Sequence, residues 1–131
     1  MIVITGAGII SAIGNNKEAV WSSLKGECCG ISAPRYLETS HSQLPVGEVK
    51  MSNRELAELC GVSQEECTRT ALLGIVALRE ALQQAGIGRD ETSSMALISG
   101  TTVGSMDKTE RDYLSCGSVD ATADVFCLGS L

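Results

Sequence analysis

The sequence predicts an α/β protein, and three observations lead to that fold class. Two short apolar runs, at residues 2–5 and 95–100, each close on a glycine, which is typical of buried strands. Segments between these runs carry helix caps together with apolar residues at helical spacing. The 131 residues suffice for one domain, and because 44% of them are hydrophobic a packed core is expected.

The first predicted helix follows the first strand. Asn15 or Asn16 can cap its start, and Gly26 can close it in a left-handed conformation. Its apolar face comprises Ala19, Val20, Trp21 and Leu24.

Two serine–glutamate capping boxes predict further helices, one at Ser52 with Glu55 and one at Ser63 with Glu66. The second of these helices runs to Gly86. Because its second half is apolar nearly all round, we expect it to be buried on more than one side. Gly74 lies inside it at a cost of about 1 kcal/mol relative to alanine, and we expect close approach of another backbone to offset that cost.

The remaining segments are less regular. Residues 30–45 predict a surface loop, residues 44–50 a short extended edge segment, and residues 107–117 a further helix. The last fifteen residues have no clear punctuation, and they end in an apolar tail without a partner element, formed by Val125, Phe126, Leu128 and Leu131. A small binding domain ending at residue 131 is therefore disfavoured, since half a sheet would expose large apolar faces.

Charge and hydropathy exclude several function classes. The net charge is −6 with a pI near 4.7, and the ten lysines and arginines form no cluster, so a nucleic-acid partner is not expected. The start has no positively charged leader, and no apolar run is long enough to span a bilayer. The expected location is the cytoplasm.

The six cysteines, at positions 28, 29, 60, 67, 116 and 127, have no metal-binding spacing, and His41 is the one histidine. We expect no metal and no cofactor. In a reducing compartment these cysteines are expected to be free thiols, with Cys60 and Cys67 packed as small hydrophobic residues. His41 lies in a polar loop and is expected at the surface.

The glycines at positions 6 and 8 raise the possibility of a dinucleotide-binding loop. Such a loop needs a third glycine and a helix that starts beside the pyrophosphate. The third position is Ser11, and the first predicted helix starts only after Asn15. A glycine turn that lets the strand leave the sheet is the favoured interpretation.

Three blocks of sequence resemble one family of enzymes. The first block matches at Thr5, Gly6, Gly8, Ser11, Gly14, Asn15, Trp21, Leu24, Gly26, Gly30 and Ile31. The others are the alanine-rich helix "TALLGIVALREALQQAGI" and the strand and glycine loop "ALISGTTVGSMDKTE". Together they resemble β-ketoacyl-[acyl carrier protein] synthases of the condensing-enzyme, or thiolase-like, superfamily.

This resemblance implies a layered α-β-α-β-α fold, of which residues 1–131 form the first part of the N-terminal half while the C-terminal remainder is absent. It implies a decarboxylative Claisen condensation of an acyl thioester with malonyl-acyl carrier protein, in fatty-acid or polyketide-type biosynthesis. The implied partners are acyl carrier protein and a second subunit, in a homodimer or heterodimer.

The family's nucleophile lies in a Thr-Ala-Cys motif, which does not occur in this sequence. Cys116 and Cys127 lack that context, and the family's two catalytic histidines have no counterpart here. We therefore assign no catalytic residue and expect residues 1–131 to be inactive alone. The alternative is a non-catalytic partner subunit, such as a chain-length factor, and the sequence after residue 131 would separate the two.

The resemblance also implies a substrate-binding loop. In the family, the hydrophobic residue of the loop matching "TTVGSM" lines the acyl-chain pocket, and Val103 holds that position, flanked by Gly104 and Met106. The other interpretation is a strand-to-helix turn with Val103 in the core.

Overall fold

Five helices and a two-stranded sheet form a computed structural model that describes residues 1–64, 67–92, 94–102, 104 and 106–116. The elements are α1 (Lys17–Lys25), β1 (Ile31–Ser32), β2 (Val46–Gly47), α2 (Asn53–Cys60), α3 (Arg69–Ala85), α4 (Arg89–Thr92) and α5 (Met106–Cys116). Mixed helix and sheet content is confirmed, whereas the five-layer arrangement stays a prediction. None of the described helices is both long and apolar enough to cross a membrane.

The core lies between α2 and α3. The predicted capping box of α2 is confirmed, because the Ser52 hydroxyl accepts the Glu55 N–H at 3.2 Å and the Glu55 carboxylate accepts the Ser52 N–H at 2.7 Å. Fixing this first turn directs the apolar face of α2 onto α3. The buried cluster comprises Leu56, Ala57 and Cys60 from α2 with Leu72 and Val76 from α3.

The start predicted for α3 is wrong. The helix begins at Arg69, and the Thr68 side chain caps it by accepting the Ala71 N–H at 3.2 Å. Ser63 lies before the helix, and Glu66 lies outside the described residues. The predicted end is confirmed, because Gly86 has φ of +71°.

Burial of α3 is also less extensive than predicted. Leu72 and Val76 are its buried residues, whereas Leu78 is 40% exposed. Helix α2 contacts one side of α3, and residues 6–8 lie against another side of it at Ala77 and Ala81. Contact on more than one side of α3 is therefore confirmed, whereas burial nearly all round is not, because Leu78 stays partly exposed.

The predicted start of α1 is confirmed. The Asn16 side chain caps the helix by accepting the Ala19 N–H at 2.8 Å. The predicted apolar face is only partly buried: Val20 is in the interior, but Trp21 is 60% exposed and carries the Lys25 ammonium 5.0 Å from its ring centre.

The left-handed residue that ends α1 is Glu27 and not Gly26 as predicted. Gly26 has φ of −84°, while Glu27 has φ of +53°. The Glu27 N–H donates to the Leu24 carbonyl at 3.2 Å and the Cys28 N–H to the Ser23 carbonyl at 2.9 Å. This is the Schellman pattern, in which the residue after the C-cap turns left-handed so that two carbonyls at the helix end are satisfied.

The sheet is the antiparallel pair β1 and β2, with Ile31 opposite Gly47 and Ser32 opposite Val46. The extended edge segment predicted within residues 44–50 is confirmed by β2. The surface loop predicted at residues 30–45 is interrupted at its start by β1. Each strand has only two residues, so this pair joins the two ends of the intervening loop and does not form a central sheet.

The strands predicted at residues 2–5 and 95–100 do not form within the described part of the chain. Neither segment pairs with a strand, and Ile2, Ile4 and Ile98 are more than nine-tenths exposed. A strand forms only where a neighbour accepts its backbone hydrogen bonds, and the described residues offer neither segment such a neighbour. The apolar pattern is present without the partner that would turn it into a strand.

Candidate functional site

The glycine loop, residues 6–8, lies directly on α3. A Cβ atom added to Gly6 would come 2.1 Å from the Ala81 carbonyl oxygen, and one added to Gly8 would come 1.9 Å from the Ala77 carbonyl oxygen. No side chain fits at such distances, so these glycines permit close backbone approach. None of the described residues lies within 4 Å of a Cβ added to Gly74, so the close approach predicted there is wrong for the part of the chain that the structure describes.

Side chains of α3 also bind the backbone around this loop. The Ala7 N–H donates to the Gln84 Oε1 at 2.9 Å, and the Ile9 N–H donates to the Glu80 Oε2 at 2.8 Å. The other oxygen of Glu80 accepts the N–H of Lys17, the first residue of α1, at 2.7 Å. One carboxylate therefore holds both the glycine loop and the start of α1.

This geometry contradicts the dinucleotide interpretation. Hydrogen bonds from the backbone N–H groups of Lys17 and Ile9 hold the pKa of Glu80 below its usual range. The carboxylate is therefore ionised at neutral pH, and it already occupies the N–H groups that a phosphate would need. Gly6 and Gly8 therefore have a structural function, which is close packing on α3, but the strand that the predicted turn would leave does not form in the described part of the chain.

Sequence reasoning missed Glu80 and Gln84, although the sequence holds a signal for them. Small residues recur every fourth position on α3, at 77, 81 and 85. Positions four apart share one face of a helix, and because alanine side chains are short, another backbone can approach this face closely. Glu80 and Gln84 lie beside that stripe with the same spacing, within reach of the approaching N–H groups.

An open groove of about 610 Å³ lies between the start of α1 and α3. Lys17, Val76 and Gln83 are among its lining residues, with Leu59 from α2. Arg79 also lines it, but its guanidinium donates to the Leu59 carbonyl at 2.7 Å and so ties α3 to the end of α2. The described residues that line the groove include no serine, cysteine or histidine.

The predicted substrate-binding residues lie at and before the start of α5. Val103 lies outside the described residues. A Cβ atom added to Gly104 would come 2.7 Å from the Thr101 Cγ2, so the chain turns tightly there. Met106 is the first residue of α5 and is 46% exposed. The acyl-pocket role of Val103, Gly104 and Met106 stays a prediction.

Cys60, Cys67 and His41 lie where the sequence predicted them, the two thiols against the core and the histidine at the surface. Cys60 is fully buried, and burial raises the pKa of its thiol, which therefore stays protonated. Cys67 is a free thiol packed against the same core, and His41 is exposed. Cys116 is the last residue of α5, and Cys127 lies outside the described residues. Among the described residues no cluster of three metal-ligating side chains occurs.

Glu48, next to β2, is a charged residue that is buried in the described part of the chain. Its carboxylate accepts the N–H groups of Arg35 at 2.9 Å, Tyr36 at 2.8 Å and Leu37 at 2.5 Å. Burial alone would raise the pKa of Glu48, but these three hydrogen bonds and the Arg69 charge outweigh it and hold the pKa below its usual range. The ionised form therefore fixes the loop that joins β1 to β2.

The substitution Glu48→Gln is expected to lower the free energy of unfolding by about 1.5–3 kcal/mol at neutral pH, because it removes the charge from these hydrogen bonds. The folded pKa is depressed, so this stabilisation is complete above the unfolded value of about 4.3 and is lost as pH falls through the folded value.

Urea unfolding of the wild type and Glu48→Gln at a series of pH values checks this. The difference between the two proteins should shrink steadily below about pH 4.3. A difference that does not change with pH would show that the charge of Glu48 contributes nothing.

Comparison with known proteins places this fold in a family. The family model described as "Beta-ketoacyl synthase, N-terminal domain" matches residues 1–129. The chain is 31% identical over 135 aligned positions to 3-oxoacyl-[acyl-carrier-protein] synthase 1 of Haemophilus influenzae, which covers 97% of the chain and 31% of that protein. The chain thus spans about a third of that relative's length. No solved structure matches it significantly. The chain belongs to the β-ketoacyl synthase family, and it corresponds to the N-terminal domain of that family.

Proposed function

We propose that this chain is the N-terminal part of a ketosynthase that joins an acyl thioester to a malonyl unit on acyl carrier protein. The observation that carries the proposal is the family match over residues 1–129. The name of the Haemophilus influenzae relative, 3-oxoacyl-[acyl-carrier-protein] synthase 1, describes the product of that condensation. The new carbon–carbon bond forms as the malonyl unit loses carbon dioxide, and the thiol that carried the acyl group is released.

In this proposal residues 1–131 supply scaffold rather than chemistry. The expected Thr-Ala-Cys nucleophile does not occur in them, and Cys60, the buried thiol, is held protonated in the core. The exposed apolar segments 2–5 and 95–100 become strands of the layered α-β-α-β-α sheet in the complete ketosynthase. Their exposure, which reaches 102% at Ile2 and 95% at Ile98, supports this part of the proposal. The complete protein acts as a dimer with acyl carrier protein as its partner.

Condensation by the complete protein tests the proposal. The protein is incubated with an acyl thioester and malonyl-acyl carrier protein, and 3-oxoacyl-acyl carrier protein and carbon dioxide are measured. Equal amounts of both products are expected, with none from residues 1–131 alone. Failure to condense acyl groups of any length would contradict the proposal. Product formed only after a separate ketosynthase subunit is added would identify the non-catalytic partner instead.

In the complete protein, Val103→Phe is expected to shorten the accepted acyl chains. If Val103 lines the pocket, the larger ring fills space that the end of a long chain would occupy. The ratio of kcat/KM for long over short acyl chains should then fall about tenfold or more.

Leu44→Phe is the matched control. Leu44 is 56% exposed, and it lies in the loop between β1 and β2, which is distant in sequence from Val103. Kinetics over a series of acyl chain lengths makes the measurement. An unchanged preference in a folded Val103→Phe protein would place Val103 in the core instead of the pocket.

A further inference from the structure

Two adjacent cysteines, Cys28 and Cys29, lie at the surface just after α1. Both are free thiols with exposed side chains. Neither takes part in the core, in the glycine loop or in the proposed condensation. They therefore have no assigned function, although a pair of accessible thiols is chemically reactive.

The backbone on both sides of this pair is fixed. Before it, the Cys28 N–H donates to the Ser23 carbonyl in the Schellman turn that ends α1. After it, Gly30 packs so closely on the preceding loop that an added Cβ would come 2.7 Å from the Ile13 Cγ2. Cys28 and Cys29 are thus a short segment fixed at both ends, and both residues are exposed, with the Cys28 thiol donating to the Gly26 carbonyl oxygen at 3.8 Å.

Adjacent cysteines favour a bridging atom over a direct disulfide. Their Cα atoms are about 3.8 Å apart, whereas disulfides usually join Cα atoms at least about 4.4 Å apart. A direct sulfur–sulfur bond is therefore strained. A single large atom between the two sulfurs enlarges the ring that the two side chains and their backbone would close, and so relieves that strain. Thiolates prefer soft atoms as partners.

We propose that Cys28 and Cys29 form a two-sulfur binding site for a trivalent arsenical. Each thiol forms one arsenic–sulfur bond, and the two thiol protons leave with the oxygen of the arsenic oxide as one water. Arsenic stays trivalent, so no oxidant or reductant is needed. The first bond holds the arsenic beside the second thiol, which makes the second bond intramolecular and the complex much tighter than that of a single thiol.

Phenylarsine oxide added to the purified protein under native conditions provides the test. Intact-mass spectrometry should show one adduct, heavier by one phenylarsine oxide less one water, and two thiols should become unreactive toward a thiol reagent. A dithiol such as 2,3-dimercaptopropanol should remove the arsenic, while the same concentration of thiol groups from 2-mercaptoethanol should not.

Matched serine variants locate the site. Cys28→Ser and Cys29→Ser should each weaken binding at least tenfold, and Cys67→Ser, which alters a half-buried thiol, should leave it unchanged. Circular dichroism confirms that each variant is folded. An adduct that persists in the Cys28→Ser/Cys29→Ser double variant would overturn the proposal. So would equal release of the arsenic by the monothiol.

Discussion

The substitution Gly8→Ala is expected to lower the free energy of unfolding by about 3 kcal/mol, the upper end of the usual cost of overpacking. The added Cβ would lie 1.9 Å from the Ala77 carbonyl oxygen. That atom belongs to the backbone of α3, so it cannot turn aside as a flexible side chain could. Relief requires the glycine loop to lift from the helix, which breaks the hydrogen bonds from Ala7 and Ile9.

Gly74→Ala is the matched control for Gly8→Ala. No atom of the described residues lies within 4 Å of the added Cβ at Gly74, and the residue is inside α3. Alanine should therefore stabilise the protein by up to about 1 kcal/mol through its higher helix propensity. Urea unfolding, monitored by circular dichroism, measures the change in the free energy of unfolding for both variants. If Gly8→Ala unfolds at the same urea concentration as the wild type, the glycine loop does not pack on α3.

The substitution Leu72→Ala is expected to cost about 2–5 kcal/mol of stability. Leu72 has no exposed surface, and it lies in the core with Leu56 and Cys60 of α2. Truncation leaves a cavity between two helices, and their own backbone hydrogen bonds limit how far they can close it. Contacts of the removed atoms are therefore lost rather than replaced.

Leu78→Ala is the control on the same helix, since Leu78 is 40% exposed. It removes the same atoms from a partly solvated position and should cost no more than about 1 kcal/mol. Thermal unfolding of the wild type and both variants gives the comparison. Equal losses at the two positions would show that the interface between α2 and α3 is not the core of this protein.

The ends of helices were predictable because the interactions that fix them are local. The caps at Asn16 and Ser52 each involve residues three apart, and Gly86 ends α3 through its own conformation. Errors arose where two local signals competed. Ser63 matches a capping pattern better than Thr68, yet Thr68 is the residue beside the first turn that packs on α2.

The strands and the site depended on contacts that no local pattern reveals. Residues 2–5 have a strand pattern, but a strand needs a partner and the described residues provide none. The glycines at 6 and 8 were recognisable as structural residues, whereas Glu80 and Gln84, which hold the loop around them, are distant in sequence. The family came from the spacing of several blocks together, which is information that single elements do not hold.

The carboxylate of Glu80 has a consequence for the order of folding. It joins Ile9 and Lys17 to α3 across 71 and 63 residues of sequence, and Gln84 joins Ala7 across 77. Contacts of such high sequence separation form late and slow the folding of a domain. As the chain leaves the ribosome, its first residues must therefore wait until α3 has emerged before they can dock. During that interval the glycine loop has no helix to pack on, whereas the apolar residues at positions 2–4 are exposed even after docking.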